Sequence, residues 1–196
     1  MKKLMIMAAF MVAAVTANAQ GEVGTLTIQP KIGMNLATMT KMDDTKILVG
    51  MAGGIEAEYV VANKFSVALG ALYSKQGCAF DTDIDYAHYS MDYLNIPIVA
   101  NYYIIPGLAI KAGIQPSFLM GAKYKMKEDG YSDSGDIKDD CKTFDLAIPL
   151  GASYEYKNFV FDARYNLSVL KVNKRGDDKI RNSVIQFTLG YKLPIK

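Results

Sequence analysis

From residue 24 onward, apolar and polar side chains alternate almost one for one, in blocks separated by turn-forming residues. A period of two places successive side chains on opposite faces of a β-strand, whereas a helix would scatter both sets around its circumference. In residues 26–36, Leu26, Ile28, Pro30, Ile32, Met34 and Leu36 share one face, and Thr27, Gln29, Lys31, Gly33 and Asn35 share the other. Comparable blocks cover residues 49–59, 65–76, 93–102, 108–124, 144–156, 159–169 and 185–193, which makes eight in all. The pattern predicts an all-β protein. In each block one face is strongly apolar, and the other holds Gly, Ser, Thr, Asn and Gln together with Lys31, Glu56, Glu58, Lys111, Asp145, Glu155, Asp162, Arg164 and Lys192.

Such two-faced strands suit a soluble barrel with its apolar face inward, or a membrane barrel with its apolar face toward lipid and its polar face lining the interior. Length favours the membrane. A strand tilted across the hydrocarbon layer needs about 9–11 residues, and most of these blocks reach that. Their apolar faces often end in tyrosine (Tyr59, Tyr73, Tyr102, Tyr154, Tyr191), as expected of aromatic girdles at the two interfaces. The connections point the same way, since they are short and long in turn. Residues 60–64, 105–107 and 157–158 are brief, whereas residues 37–47, 77–90, 125–142 and 171–182 are long. The expected architecture is therefore an eight-stranded antiparallel transmembrane β-barrel, with short periplasmic turns, long outer loops and both termini in the periplasm. Pro30, Pro97, Pro116 and Pro149 fall inside strands, where a missing N–H predicts bulges.

The first residues add a compartment. Lys2 and Lys3 form a basic start, residues 4–15 carry no charge, and Ala17-Asn18-Ala19 supplies the small residues a signal peptidase reads. Residues 1–19 are thus expected to be a signal peptide and residues 20–196 the mature domain. Without Lys2 and Lys3 the chain holds 20 basic and 20 acidic residues, which leaves no electrostatic case for a nucleic-acid partner. No mature segment has the run of apolar residues that a spanning helix needs. No cofactor motif is present: there is no Gly-rich phosphate loop, no CxxC and no His-rich cluster.

Three stretches resemble the PorT-like outer-membrane β-barrel proteins of the Bacteroidetes, also described as porin-family proteins. They are Tyr93-Leu94-Asn95-Ile96-Pro97, the Lys111-Ala112-Gly113 core of residues 107–121, and Phe161-Asp162-Ala163-Arg164-Tyr165-Asn166-Leu167, with the closing run of residues 184–193 fitting as well. The resemblance implies an outer-membrane barrel of a Gram-negative bacterium and, as partners, outer-membrane lipid and the barrel-assembly machinery. Family chains commonly finish on an aromatic residue, whereas this one continues through Leu193-Pro194-Ile195-Lys196. Recognition by the assembly machinery is then expected to rest on Phe187 or Tyr191.

Eight strands enclose an interior just wide enough for side chains to fill. The nine charged residues on the polar faces are expected to pair across it, giving a plugged lumen rather than a wide channel, because unpaired charges there are costly. Cys78 and Cys141 flank long connections of an exported chain, so a loop-tying disulfide is one expectation and two free thiols the other. Asp81, Asp83 and Asp85 alternate as calcium ligands do, but the glycine and later glutamate of a calcium loop are missing. Glu128, Asp129, Asp133, Asp136, Asp139 and Asp140 likewise read as a solvated loop surface. His88 and Ser90 have the spacing of a histidine-activated serine in a lipid-modifying barrel enzyme, with no identifiable acid partner. The leading expectation is a non-enzymatic structural or surface-interaction barrel. A narrow pore, a lipid-modifying enzyme and a soluble periplasmic binding barrel are the alternatives.

Overall fold

The computed structural model of the protein describes residues 22–40, 45–81, 85–128, 131–174 and 180–195. The expected signal peptide lies outside the described residues, as does Asp83. Eleven strands account for most of the rest: β1 (Leu26–Thr40), β2 (Leu48–Ala62), β3 (Phe65–Asp81), β4 (Asp85–Asn95), β5 (Ile98–Ile105), β6 (Leu108–Glu128), β7 (Tyr131–Asp136), β8 (Phe144–Tyr156), β9 (Phe159–Ser168), β10 (Arg181–Tyr191) and β11 (Leu193–Ile195). A 3-10 turn, Lys138–Asp140, separates β7 from β8.

All pairings are antiparallel, and they close. β4 and β5 are two halves of one stave, interrupted at Ile96-Pro97, and both lie between β3 and β6. From there the order runs β6, β8, β9, β10, and β10 pairs back onto β1 from Lys31↔Gly190 to Thr40↔Arg181. β11 continues the line of β10 against the start of β1. The result is a ring of eight staves with no free edge, the one sheet geometry in which every backbone donor can be satisfied without water. β7 stands outside the ring and pairs with the distal half of β6.

The faces agree with the alternation. Ile32, Met34, Val49, Met51, Ile55, Leu69, Ile110, Ile114, Leu150, Phe161 and Phe187 all point away from the ring and are exposed, Met51 to 65%. A continuous apolar belt of this kind is tolerable only against lipid or a partner. Three tight turns gather at one end, at residues 63–64, 106–107 and 157–158, and Lys64, Gly107 and Lys157 supply the positive φ (67°, 83°, 56°) that two-residue hairpins need. The chain's first and last strand ends meet at that same end, where Leu26 pairs with Ile195. The four long connections leave from the other end.

That far end departs from the loops expected there. Residues 77–90 are mostly hairpin, paired from Gly77↔Ser90 to Asp81↔Tyr86, and β6 runs on to Glu128 in a second hairpin with β7. Here the polarity of the faces reverses. Met39, Cys78, Met91, Leu119 and Ala122 are buried inward, whereas Lys123 and Lys125 face out and are exposed. Strands that have left the lipid need a conventional apolar-in arrangement. A bulge on β6 helps to set it, because Asp92 pairs with Gly121 while Tyr93 pairs with Leu119, so Met120 is an extra residue. Tyr124, which the alternation assigns to the lipid face, is thereby turned inward opposite Tyr89.

The prolines do not sit at bulges as expected. The register shifts lie at Val60/Ala62, Asp92/Tyr93 and Tyr103/Ile105. Pro116 stays in register opposite Leu146, and the other three sit where a ladder on one side is interrupted. Pro97 occupies the break between β4 and β5, Pro149 falls in the gap between Ala112↔Leu150 and Gln115↔Ala147, and Pro30 lies opposite the junction of β10 and β11. A residue without a donor costs least where no donor is used.

Candidate functional site

Period two turns every second side chain of each stave into the lumen, and all nine charged residues expected there are buried or nearly so. They form layers. Nearest the tight turns, Lys192 Nζ lies 2.5 Å from Glu155 Oε2 and 3.1 Å from Glu58 Oε2. Glu58 also accepts hydrogen bonds from Gln29 (2.6 Å), Ser66 (2.5 Å) and the Tyr103 hydroxyl (2.6 Å).

One layer further in, five side chains from four staves make a network. Lys31 Nζ is 2.6 Å from Glu56 Oε1 and 3.4 Å from Asp162 Oδ2. Lys111 Nζ is 2.5 Å from Asp162 Oδ2. Arg164 bridges both acids, donating from Nε to Asp162 Oδ1 at 2.7 Å and from Nη2 to Glu56 Oε2 at 2.8 Å. The positions follow from register: Lys31 faces Gly54 and Gly190, and Arg164 faces Gly151, so long side chains reach over residues that have none. Gathering cations and anions from four staves satisfies charges that would be expensive to bury singly.

Above the network lies a neutral amide layer. Asn35 donates to Ser74 Oγ (2.9 Å), and Gln186 donates to Asn35 Oδ1 (3.0 Å). Asp145 follows, held by the Ser168 hydroxyl, the Leu146 N–H and, at 3.4 Å, Asn182. An apolar lid then closes the lumen, comprising Met39, Cys78, Met91, Tyr93, Leu119, Ala122, Cys141 and Val172. Backbone bonds hold the overlying connections down, from Lys142 N to Val172 O (2.7 Å) and from Lys174 N to Asp140 O (3.0 Å). Of the neutral partners, Gln29, Ser66 and Asn101 stand on the polar faces that the alternation defines, whereas Tyr103 escaped the sequence reading because it falls just past the block of residues 93–102, although it shares their inward parity.

Both cysteines are free thiols, buried in that one lid. Although β3 and β8 are not neighbours in the ring, the connection preceding β8 folds over the mouth and brings Cys141 into the cluster that holds Cys78. Burial pushes the Cys78 thiol up to about 11, and burial followed by the Asp140 carboxylate raises that of Cys141. Neither is a ready nucleophile. Iodoacetamide should therefore label the folded protein far more slowly than the urea-unfolded chain, with identical intact mass before and after reduction. Rapid labelling in the fold, or a mass gain of two hydrogen atoms on reduction, would contradict the buried, unpaired thiols.

His88 and Ser90 share the outward face of β4 beyond the girdle. Burial, then the ammonium groups of Lys125 and Lys75, hold the imidazole below its ordinary value. Cationic neighbours are the reverse of the carboxylate that orients a catalytic base. The side chains of Asp81 and Asp85, and those of Glu128 and Asp129, lie outside the described residues. Among the described residues, no group of three or more metal-binding side chains occurs.

A closed eight-stave ring with an apolar exterior, aromatic ends and a polar interior is the architecture of a small outer-membrane β-barrel. Residues 18–172 match the family model for the outer membrane protein beta-barrel domain, and the chain belongs to that family. Two solved structures share the ring. One is Ail, the attachment invasion locus protein of Yersinia pestis (18% identity, 88% of this chain and 100% of that one, TM-score 0.53). The other is Neisserial surface protein A, NspA (15% identity, 86% and 97%, TM-score 0.51). At such identities the likeness is one of fold. No functionally curated protein matches the chain.

Proposed function

We propose that this protein is a non-enzymatic surface-display barrel of the PorT-like kind, exported by the leader of residues 1–19. Its sealed lumen serves as a rigid support, and its activity lies in the hairpins and connections at the open end. In this reading both termini and the tight turns are periplasmic, and the β3–β4 and β6–β7 hairpins stand outside the cell, where they meet an extracellular partner. Ail and NspA, an attachment protein and a surface protein by name, rest on the same ring. The observation that carries the reading is the filling of the lumen: two ionic layers, an amide layer and an apolar lid lie in series along the axis, so side chains occupy it over its length. Purified protein reconstituted in planar bilayers is expected to give no conductance above the bare membrane. Stable, reproducible current steps would replace the surface-display reading with that of a pore.

A further inference from the structure

The ion pairs account for every lumen cation but not every lumen anion. Lys31, Lys111, Arg164 and Lys192 are matched by Glu56, Glu58, Asp162 and Glu155 in the two layers nearest the tight turns. Asp145 is the fifth acid. It is 5% exposed, and among the described residues no basic side chain pairs with it. The surplus negative charge of the lumen is therefore located on one carboxylate, beneath the apolar lid.

The adjoining ladder positions carry buried amides with unpartnered polar atoms. Asn182, which touches Asp145 through its Nδ2 at 3.4 Å, leaves Oδ1 without a partner. Ser117 lies directly across the ladder from Asp145, and Asn95 directly across from Ser117, with both polar atoms of the Asn95 side chain unpartnered. Gln115 sits one inward position below Ser117, and Asn166 one below Ser168; Gln115 Oε1 and Asn166 Oδ1 are likewise buried without a donor. All four amides are less than one-tenth exposed. Buried amide oxygens without donors are rare, and each is costly. A proton on Asp145 would remove the charge but, with a single O–H to donate, could satisfy only one of them. A hard cation removes the charge and takes carbonyl oxygens as ligands. One carboxylate beside neutral amides suits a single positive charge better than two.

We infer that the lumen binds one sodium-sized monovalent cation between the amide layer and the lid, at Asp145 with Asn95, Gln115 and Asn182. The site is independent of the surface-display reading, since a sealed barrel and a pore could both hold it.

The test is thermal unfolding of the full-length mature protein in detergent, in sodium chloride against N-methylglucamine chloride of equal ionic strength, because the organic cation is too large for the lumen. Wild type is expected to melt about 5 °C higher in sodium. Asp145→Asn should lose that difference, while Asp136→Asn on the exposed hairpin keeps it. Native mass spectra of the sodium-equilibrated protein should retain one sodium after exchange into ammonium acetate. Equal wild-type midpoints in the two salts together with no retained sodium would overturn the inference, whether or not Asp145→Asn folds. A sodium effect that persists undiminished in a folded Asp145→Asn would overturn it too.

Discussion

Glu56→Gln should cost about 3–5 kcal/mol of folded stability, the loss typical of removing one partner from a buried ionic network. The exchange keeps the shape of the side chain and removes only its charge. Lys31, Lys111 and Arg164 are then left with Asp162 as the sole anion of their layer, and the 2.6 Å contact to Lys31 and the 2.8 Å contact to Arg164 each lose their ionic component. The chain has no tryptophan but 13 tyrosines, so tyrosine fluorescence and the gel mobility of unheated samples can follow urea titrations. Adding Lys31→Met restores the net charge of the layer, and the double variant should recover about 1–3 kcal/mol relative to the sum of the single losses. A Glu56→Gln midpoint within error of wild type, or strictly additive losses, would show that the layer is not an energetic unit.

Gly113→Val is expected to be comparably damaging for a different reason. A Cβ built on Gly113 would stand 2.0 Å from the Ile98 carbonyl oxygen and 2.9 Å from the Val99 Cα, both on the β5 backbone. Backbone in a closed ring has nowhere to move, so the cost should reach or exceed the upper end of the ~1–3 kcal/mol usual for overpacking. Gly121→Ala is the matched control, since its Cβ would meet only the Asp92 carboxylate oxygen at 3.7 Å. Should both variants refold to the same heat-modifiable species with the same urea midpoint, the close approach of β5 and β6 would be disproved.

The lipid-facing part of the barrel was legible in the sequence because the bilayer imposes one rule on every stave. Given period two and a fixed apolar direction, residues such as Ile32, Leu69 and Phe161 define the outside, and Lys31, Glu56 and Arg164 follow as the inside without further information. The same rule fails where lipid ends. Cys78, Met91 and Leu119 are apolar yet inward, and Tyr124 changes side through one extra residue at Met120, so the projecting hairpins read as loops. The pairing of particular charges was also hidden. Parity puts Asp162 and Asp145 in the same lumen, but only register decides that the first meets two lysines and an arginine while the second meets a serine and an asparagine.

The joining of β10 and β11 to β1 bears on how the barrel is made. The seam pairs strands from opposite ends of the described residues, Gly190 with Lys31 and Ile195 with Leu26. Until it forms, both terminal staves present rows of unpaired N–H and C=O groups, which hydrocarbon does not tolerate. Insertion is therefore all-or-none with respect to chain length. A chain that stops before Arg181 has no seam to close, and embedding it would set two open edges against hydrocarbon.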